Sequence, residues 1–98
     1  MKSNFSNLIE GSTPVLIDFY ADWCQPCKMM APILQEVKSE LGDDVKIIKI
    51  NTEKNQALSG KFAIRSIPTL MLFKDGQEKW RKSGVLPSNE IISIIKAI

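Results

Sequence analysis

The sequence holds two cysteines and no histidine. Both thiols lie in Trp23-Cys24-Gln25-Pro26-Cys27-Lys28, directly after an apolar run from Val15 to Ala21. Two cysteines without a histidine cannot supply the four soft ligands of a structural zinc within one chain. A disulfide between neighbours this close constrains little of the unfolded chain, so a structural staple is a poor use of the pair. What remains is a reactive dithiol or two incidental thiols. Asp18 is the one charge inside the apolar run. If that run is buried, desolvation penalises the carboxylate and raises its pKa. The alternative is an edge aspartate turned to solvent.

The elements around the pair favour the reactive reading. Val15 to Ala21 reads as a buried strand. From Cys24 to Leu41 the residues Cys27, Met30, Ile33 or Leu34, Val37 and Leu41 recur at helical spacing, and Gly42-Asp43 closes the helix. Pro26 suits a first helical turn, where its missing N–H costs nothing. Positions i and i+3 share a helix face at a separation compatible with a disulfide, so the sulfurs join or part with little backbone movement. The helix N-terminus favours an anion at Cys24, and the thiolate is the nucleophilic form. Cys27, one turn on and nearer the core, is expected to resolve.

The remaining pattern gives Phe5, Leu8 and Ile9 as one face of a short helix ended by Gly11. Strands are expected at Val45–Ile50, Thr69–Phe73 and Glu78–Ser83, with Asp75-Gly76 as a hairpin signal. A weaker helix covers Asn55–Phe62. A last helix begins near Ser88 as N-cap and buries Ile91, Ile92, Ile94, Ile95 and Ile98. A parallel βαβ unit followed by an antiparallel ββα unit predicts an α/β fold, with one mixed four-stranded sheet between helices on both faces.

Ninety-eight residues, 44% hydrophobic and 24% charged, describe one domain spanning the chain. A net charge of +2 without a dense basic block argues against nucleic acid. No apolar run spans a membrane. The first twelve residues show no secretory leader, so a cytoplasmic place is expected.

The motif resembles the W-C-G-P-C-K of thioredoxins. The segments VLIDFYADWC, MMAPIL, KINTEKN, FAIRSIPTLMLFKDGQE and SGV are similar to thioredoxin segments in order and spacing. The resemblance implies the thioredoxin fold and a thiol–disulfide oxidoreductase that reduces protein disulfides through Cys24 and Cys27. It implies that Asp18 relays the Cys27 proton and that Lys49 modulates Asp18. Pro68 is implied to follow a cis bond and to leave the Ile67 backbone free for an extended substrate. Trp23, Gln25, Pro26 and Gly84 complete the implied substrate surface. No cofactor beyond the Cys24–Cys27 disulfide is implied. The chain carries no nucleotide or flavin motif, so its electrons are expected from a partner, and the resemblance implies a thioredoxin-reductase-type flavoenzyme. A monomer is expected, with disulfide-containing proteins as substrates. The rival readings are a disulfide oxidase or isomerase, and a non-catalytic protein-binding module.

Three departures from the thioredoxin pattern stand out. Gln25 replaces the usual glycine, at a position that tunes the reduction potential. Tyr20 stands where tryptophan is usual, so contacts to the loop around Glu53 are expected to differ. Only Met1 to Asn4 precede the first helix, too few for the usual N-terminal strand, so Val45–Ile50 is expected at a sheet edge.

Overall fold

The computed structural model describes residues 5–98; the expectation about Met1 to Asn4 lies outside them. The elements run α1 (Phe5–Ile9), β1 (Val15–Tyr20), α2 (Gln25–Leu41), a short 3-10 turn, β2 (Lys46–Asn51), α3 (Gln56–Lys61), β3 (Thr69–Lys74), β4 (Gln77–Ser83) and α4 (Ser88–Ala97). The four strands form one sheet in the order β2-β1-β3-β4. β1 pairs parallel with β2 and antiparallel with β3, and β3 pairs antiparallel with β4. This is the expected mixed sheet.

Strand alternation builds two cores. Leu16, Leu70 and Leu72 face α2 and α4, where they meet Met30, Leu34, Val37, Ile91 and Ile95. Val15, Ile17, Phe19, Met71 and Phe73 face the other way, onto Ile9 of α1 and the half-buried Phe5, Leu58 and Phe62. The Phe5 and Phe62 rings lie 5.2 Å apart, and both pack against Phe73. Covered on both sides, β1 is buried from Val15 to Phe19.

The β3–β4 hairpin closes at Asp75-Gly76, where both residues have positive φ, 56° and 78°. That pair of left-handed conformations suits the twist of a two-residue hairpin, which is why Asp-Gly is favoured there.

Three details correct the sequence reading. Ser88 is the first helical residue of α4, not its cap; extended Pro87 holds the cap position, with its carbonyl accepting from the Glu90 and Ile91 amides. Leu8 does not join the buried face of α1 and remains 39% exposed, because the helix is one turn long and presents Phe5 and Ile9 inward. The second strand starts at Lys46 and reaches Asn51. The Lys46 amide is the first to bond across to the β1 side, at the Pro14 carbonyl, while Val45 is extended but outside the ladder.

Candidate active site

Chain direction gathers the site at one end of the sheet. β1 and β2 run parallel and finish there, at Tyr20 and Asn51. β3 starts there and β4 returns there, since Phe19 pairs with Thr69 and Thr69 with Ser83. The segments just outside these strand ends therefore meet: Trp23-Cys24 after β1, Glu53 after β2, Ile67-Pro68 before β3 and Gly84 after β4. Ligand sites of parallel α/β sheets form beyond strand ends for the same reason.

Cys24 caps α2. Its backbone is extended, and its sulfur accepts the Cys27 amide N–H at 3.2 Å. Its carbonyl accepts the Lys28 amide, the first bond of the helix. Pro26 sits in the first turn as expected. The two sulfurs are joined in a disulfide, with Cα atoms 5.2 Å apart. A sulfur in the N-cap position faces amide N–H groups that have no helical partner, the arrangement that stabilises an anion.

Exposure does not separate the two cysteines as the sequence reading expects: Cys24 is 3% exposed and Cys27 5%. Both pack with Ala21 and with half-buried Tyr20 and Ile67. What separates them is the helix end, because the Cys27 amide points at the Cys24 sulfur.

The Ile67-Pro68 bond is cis. The Ile67 carbonyl oxygen lies 3.8 Å from the Cys24 sulfur. Thr69 fixes this turn by donating its hydroxyl to the Ser66 carbonyl at 2.6 Å, and its oxygen lies 2.9 Å from the Ser83 hydroxyl. Gly84, at φ 98°, donates its amide to the Pro68 carbonyl at 2.8 Å. A positive φ of this kind is what glycine permits without a Cβ penalty.

Asp18 is 0% exposed, and neither carboxylate oxygen has a hydrogen-bond partner among the described residues. The solvent-facing alternative is thereby excluded. Burial raises its pKa from 3.8 to about 6, against the opposing pull of the Lys49 charge. Asp18 and Lys49 are register partners across β1 and β2. Lys49 itself is exposed, with Nζ 5.1 Å from the centre of the Tyr20 ring. An opening lined by Tyr20, Lys28, Ala31 and Lys49 reaches Cys27. Cys27, Lys49 and Tyr20 thus share one approach, on the α2 side of the sheet where Asp18 also lies.

Trp23 is 66% exposed, and its indole N–H donates to the Glu53 carboxylate at 2.6 Å. The Glu53 loop is itself tied down: Thr52 donates its amide and hydroxyl to the Tyr20 carbonyl, and Asn51 Oδ1 accepts the Glu53 amide at 2.9 Å. Tyr20 therefore meets this loop through its backbone while its ring faces Lys49. The sequence marks Glu53 only as part of a loop. The signal for its place is topological, since residues just past two adjacent parallel strands share one end of the sheet.

Comparison with known proteins agrees with this geometry. The thioredoxin family profile matches residues 1–97. This chain belongs to the thioredoxin family. It is 45% identical over 94 residues to thioredoxin of Rickettsia prowazekii, covering 95% of this chain and 90% of that protein. It is 46% identical over 96 residues to chloroplastic thioredoxin Y of Oryza sativa subsp. japonica, covering 97% of this chain and 57% of that longer protein. Among solved structures, oxidised mitochondrial thioredoxin 3 of Saccharomyces cerevisiae superposes with a TM-score of 0.85 at 33% identity, over 96% of this chain and 87% of that one. A thioredoxin-like fold that holds its only cysteines as a disulfide at a helix N-terminus makes this chain a thiol–disulfide oxidoreductase. Among the described residues no cluster of side chains is suited to hold a metal ion.

Proposed function

We propose that this thioredoxin acts as a monomeric single domain that reduces disulfides in other proteins. The carrying observation is the Cys24 sulfur at the α2 N-cap, within reach of both its resolving partner and the Ile67 carbonyl. In the dithiol state the Cys24 thiolate attacks one sulfur of a substrate disulfide. That S–S bond breaks, a mixed disulfide forms, and the first substrate thiolate leaves and takes up a proton. Cys27 then gives its proton to the Asp18 carboxylate and attacks the Cys24 sulfur. The mixed disulfide breaks, the second substrate sulfur departs as a thiolate that takes up a proton, and the Cys24–Cys27 disulfide returns. Two electrons pass to the substrate.

Each remaining site residue has a part in this reading. Burial suits Asp18 to proton exchange near neutrality, and Lys49 opposes that shift. Trp23, Gln25 and Pro26 present the exposed rim beside the disulfide. The Ile67 backbone before cis Pro68 pairs with an extended substrate strand, and Gly84 keeps the adjacent surface low. A thioredoxin-reductase-type flavoenzyme restores the dithiol. A reductant needs a reducing compartment, so the cytoplasm is the place this reading implies.

The deciding experiment is trapping. Cys27→Ser should accumulate a covalent adduct with insulin through Cys24, released by dithiothreitol, and Cys24→Ser should give none. Insulin that is bound without any adduct would leave a binding module instead of an enzyme.

A further inference from the structure

The two outer strands of the sheet differ in how they meet solvent. β4 reads QEKWRKS, is exposed at all but one position and carries a register irregularity opposite Leu72/Phe73. Charge and irregularity of this kind blunt an edge against pairing. β2 reads KIIKIN and keeps a regular register with β1 over its full length. The amides of Lys46 and Thr52 point inward, to the Pro14 and Tyr20 carbonyls. By alternation the N–H groups of Ile47, Lys49 and Asn51 point outward, together with the carbonyls of Ile47 and Lys49. Among the described residues none of these groups is hydrogen-bonded.

Grooves flank this edge on both faces. On the α1/α3 side the apolar lining is Phe5, Leu8, Ile48, Ile50 and Leu58, joined by Lys49 and Asn55. Among the described residues Leu8 is one of three exposed large hydrophobic side chains, with Trp23 and Met29. On the α2 side a groove of about 370 Å³ has Leu34 and Ile47 as its floor, with Lys38, Lys46 and Lys49 around it. Neither Lys46 nor Lys49 forms an ion pair among the described residues; the Lys38 ammonium holds the Gly42 and Val45 carbonyls. Glu10 and Asp43 line a neighbouring opening with Lys38 and Lys46, and Asp22 lines one with Lys49, so acids flank both ends while three lysines surround the groove itself.

We propose that the free edge of β2 is a second docking surface, which takes an extended segment of a partner protein whose side chains alternate between apolar and acidic. Main-chain pairing with Ile47, Lys49 and Asn51 supplies the attachment. The apolar side chains enter the Leu8 groove and the acidic ones meet the lysines of the other. The same lysines disfavour a second copy of this chain, since pairing two β2 edges brings like charges together. The surface uses β2 and the helix faces beside it and leaves the sulfurs uncovered, sharing only Lys49 and Ala31 with the opening that reaches Cys27.

The test uses the oxidised, isotope-labelled chain and a capped peptide of alternating valine and glutamate matched in length to β2. Saturable binding is expected, with exchange of the Ile47, Lys49 and Asn51 amides slowed about tenfold or more. Raising salt should weaken it several-fold, as screening does for partly exposed charges (roughly a 10 Å Debye length at 0.1 M). A valine–lysine peptide, or the valine–glutamate peptide N-methylated along its pairing edge, should not bind. Lys46→Glu should weaken binding and leave insulin reduction unchanged. Shifts confined to residues around Cys24 and Ile67, or no slowing at the three amides, would overturn the proposal. So would slow exchange there without peptide: concentration dependence would mean a second copy covers the edge, and independence would mean the chain covers it itself.

Discussion

Asp18 has an effect on stability that can be measured apart from the chemical role proposed for it. Its folded pKa, about 6, lies above the 3.8 of a free side chain because burial disfavours the charged form. Between those values the folded state binds more protons than the unfolded state, so stability falls as pH rises through the window. Below about 3.8 the penalty is absent, and above about 6 it is fully present. At roughly 1.4 kcal/mol per tenfold change in proton affinity, Asp18→Asn should gain about 3 kcal/mol over the parent at pH 8, less whatever the buried amide loses. Urea titrations at pH 8 and pH 4 check this: the gap between parent and variant should shrink toward acid. A gap independent of pH would mean that Asp18 does not titrate on folding. Trp23 and Glu53 make a different residue-scale pair. Their hydrogen bond is charge-assisted but exposed, so its loss in Glu53→Ala should cost under about 1 kcal/mol of stability. Its expected effect is on the freedom of the indole: a changed Trp23 emission and a raised KM for insulin, with reduction of a small disulfide unaltered. The cysteine pair, the odd carboxylate and the proline before an apolar strand were all legible from residue type and spacing. The Trp23–Glu53 bond was not, because its partners come from separate loops and only the parallel pairing of β1 and β2 brings them together.

At the scale of elements, the sequence shows which segments form and less well where they stop. Periodicity located α2 and β1 because their buried faces are long and regular. Ser88 misled because serine is a favoured cap, yet Pro87 is already fixed in an extended conformation that starts the helix one residue earlier. Leu8 misled because a one-turn helix cannot turn three apolar residues inward. Two predictions belong here. The α2 N-terminus stabilises an anion at Cys24 and not at Cys27, so brief alkylation of the dithiol at neutral pH should modify Cys24 first; mass mapping reads the site, and equal labelling would remove the helix end as the cause. Gly84 joins the end of β4 to the cis-proline turn at φ 98°. A Cβ there would meet no atom within 4 Å, so the whole cost of Gly84→Ala is backbone conformation. That cost should be about 1–3 kcal/mol, seen as a lower urea midpoint with an unchanged slope.

The whole molecule sets the direction of electron flow. A dithiol couple is oxidised or reduced according to how much better the fold tolerates one state than the other, and about 30 mV corresponds to 1.4 kcal/mol in that difference. Here the two cysteines stand three positions apart at the start of α2, a spacing at which a disulfide closes with little backbone movement. The reduced state gains from the Cys27 amide that faces the Cys24 sulfur. These effects oppose one another. The first favours the disulfide and therefore a low potential; the N-cap favours the dithiol. For the reductant proposed above, titration against a thiol–disulfide buffer, read by tryptophan fluorescence, should give a value near the thioredoxin benchmark of about −270 mV, not the −120 to −180 mV of disulfide donors. Gln25 is the residue on the rim best placed to move it, being exposed in the first turn of α2 between the two cysteines. Gln25→Gly isolates that contribution, because it alters neither the cap nor Asp18. A parent value in the donor range that returns toward −270 mV in the variant would assign the shift to this side chain and turn the proposed reductant into an oxidant. A parent value already near −270 mV keeps the reducing direction, and the variant then measures only how finely the residue between the cysteines tunes it.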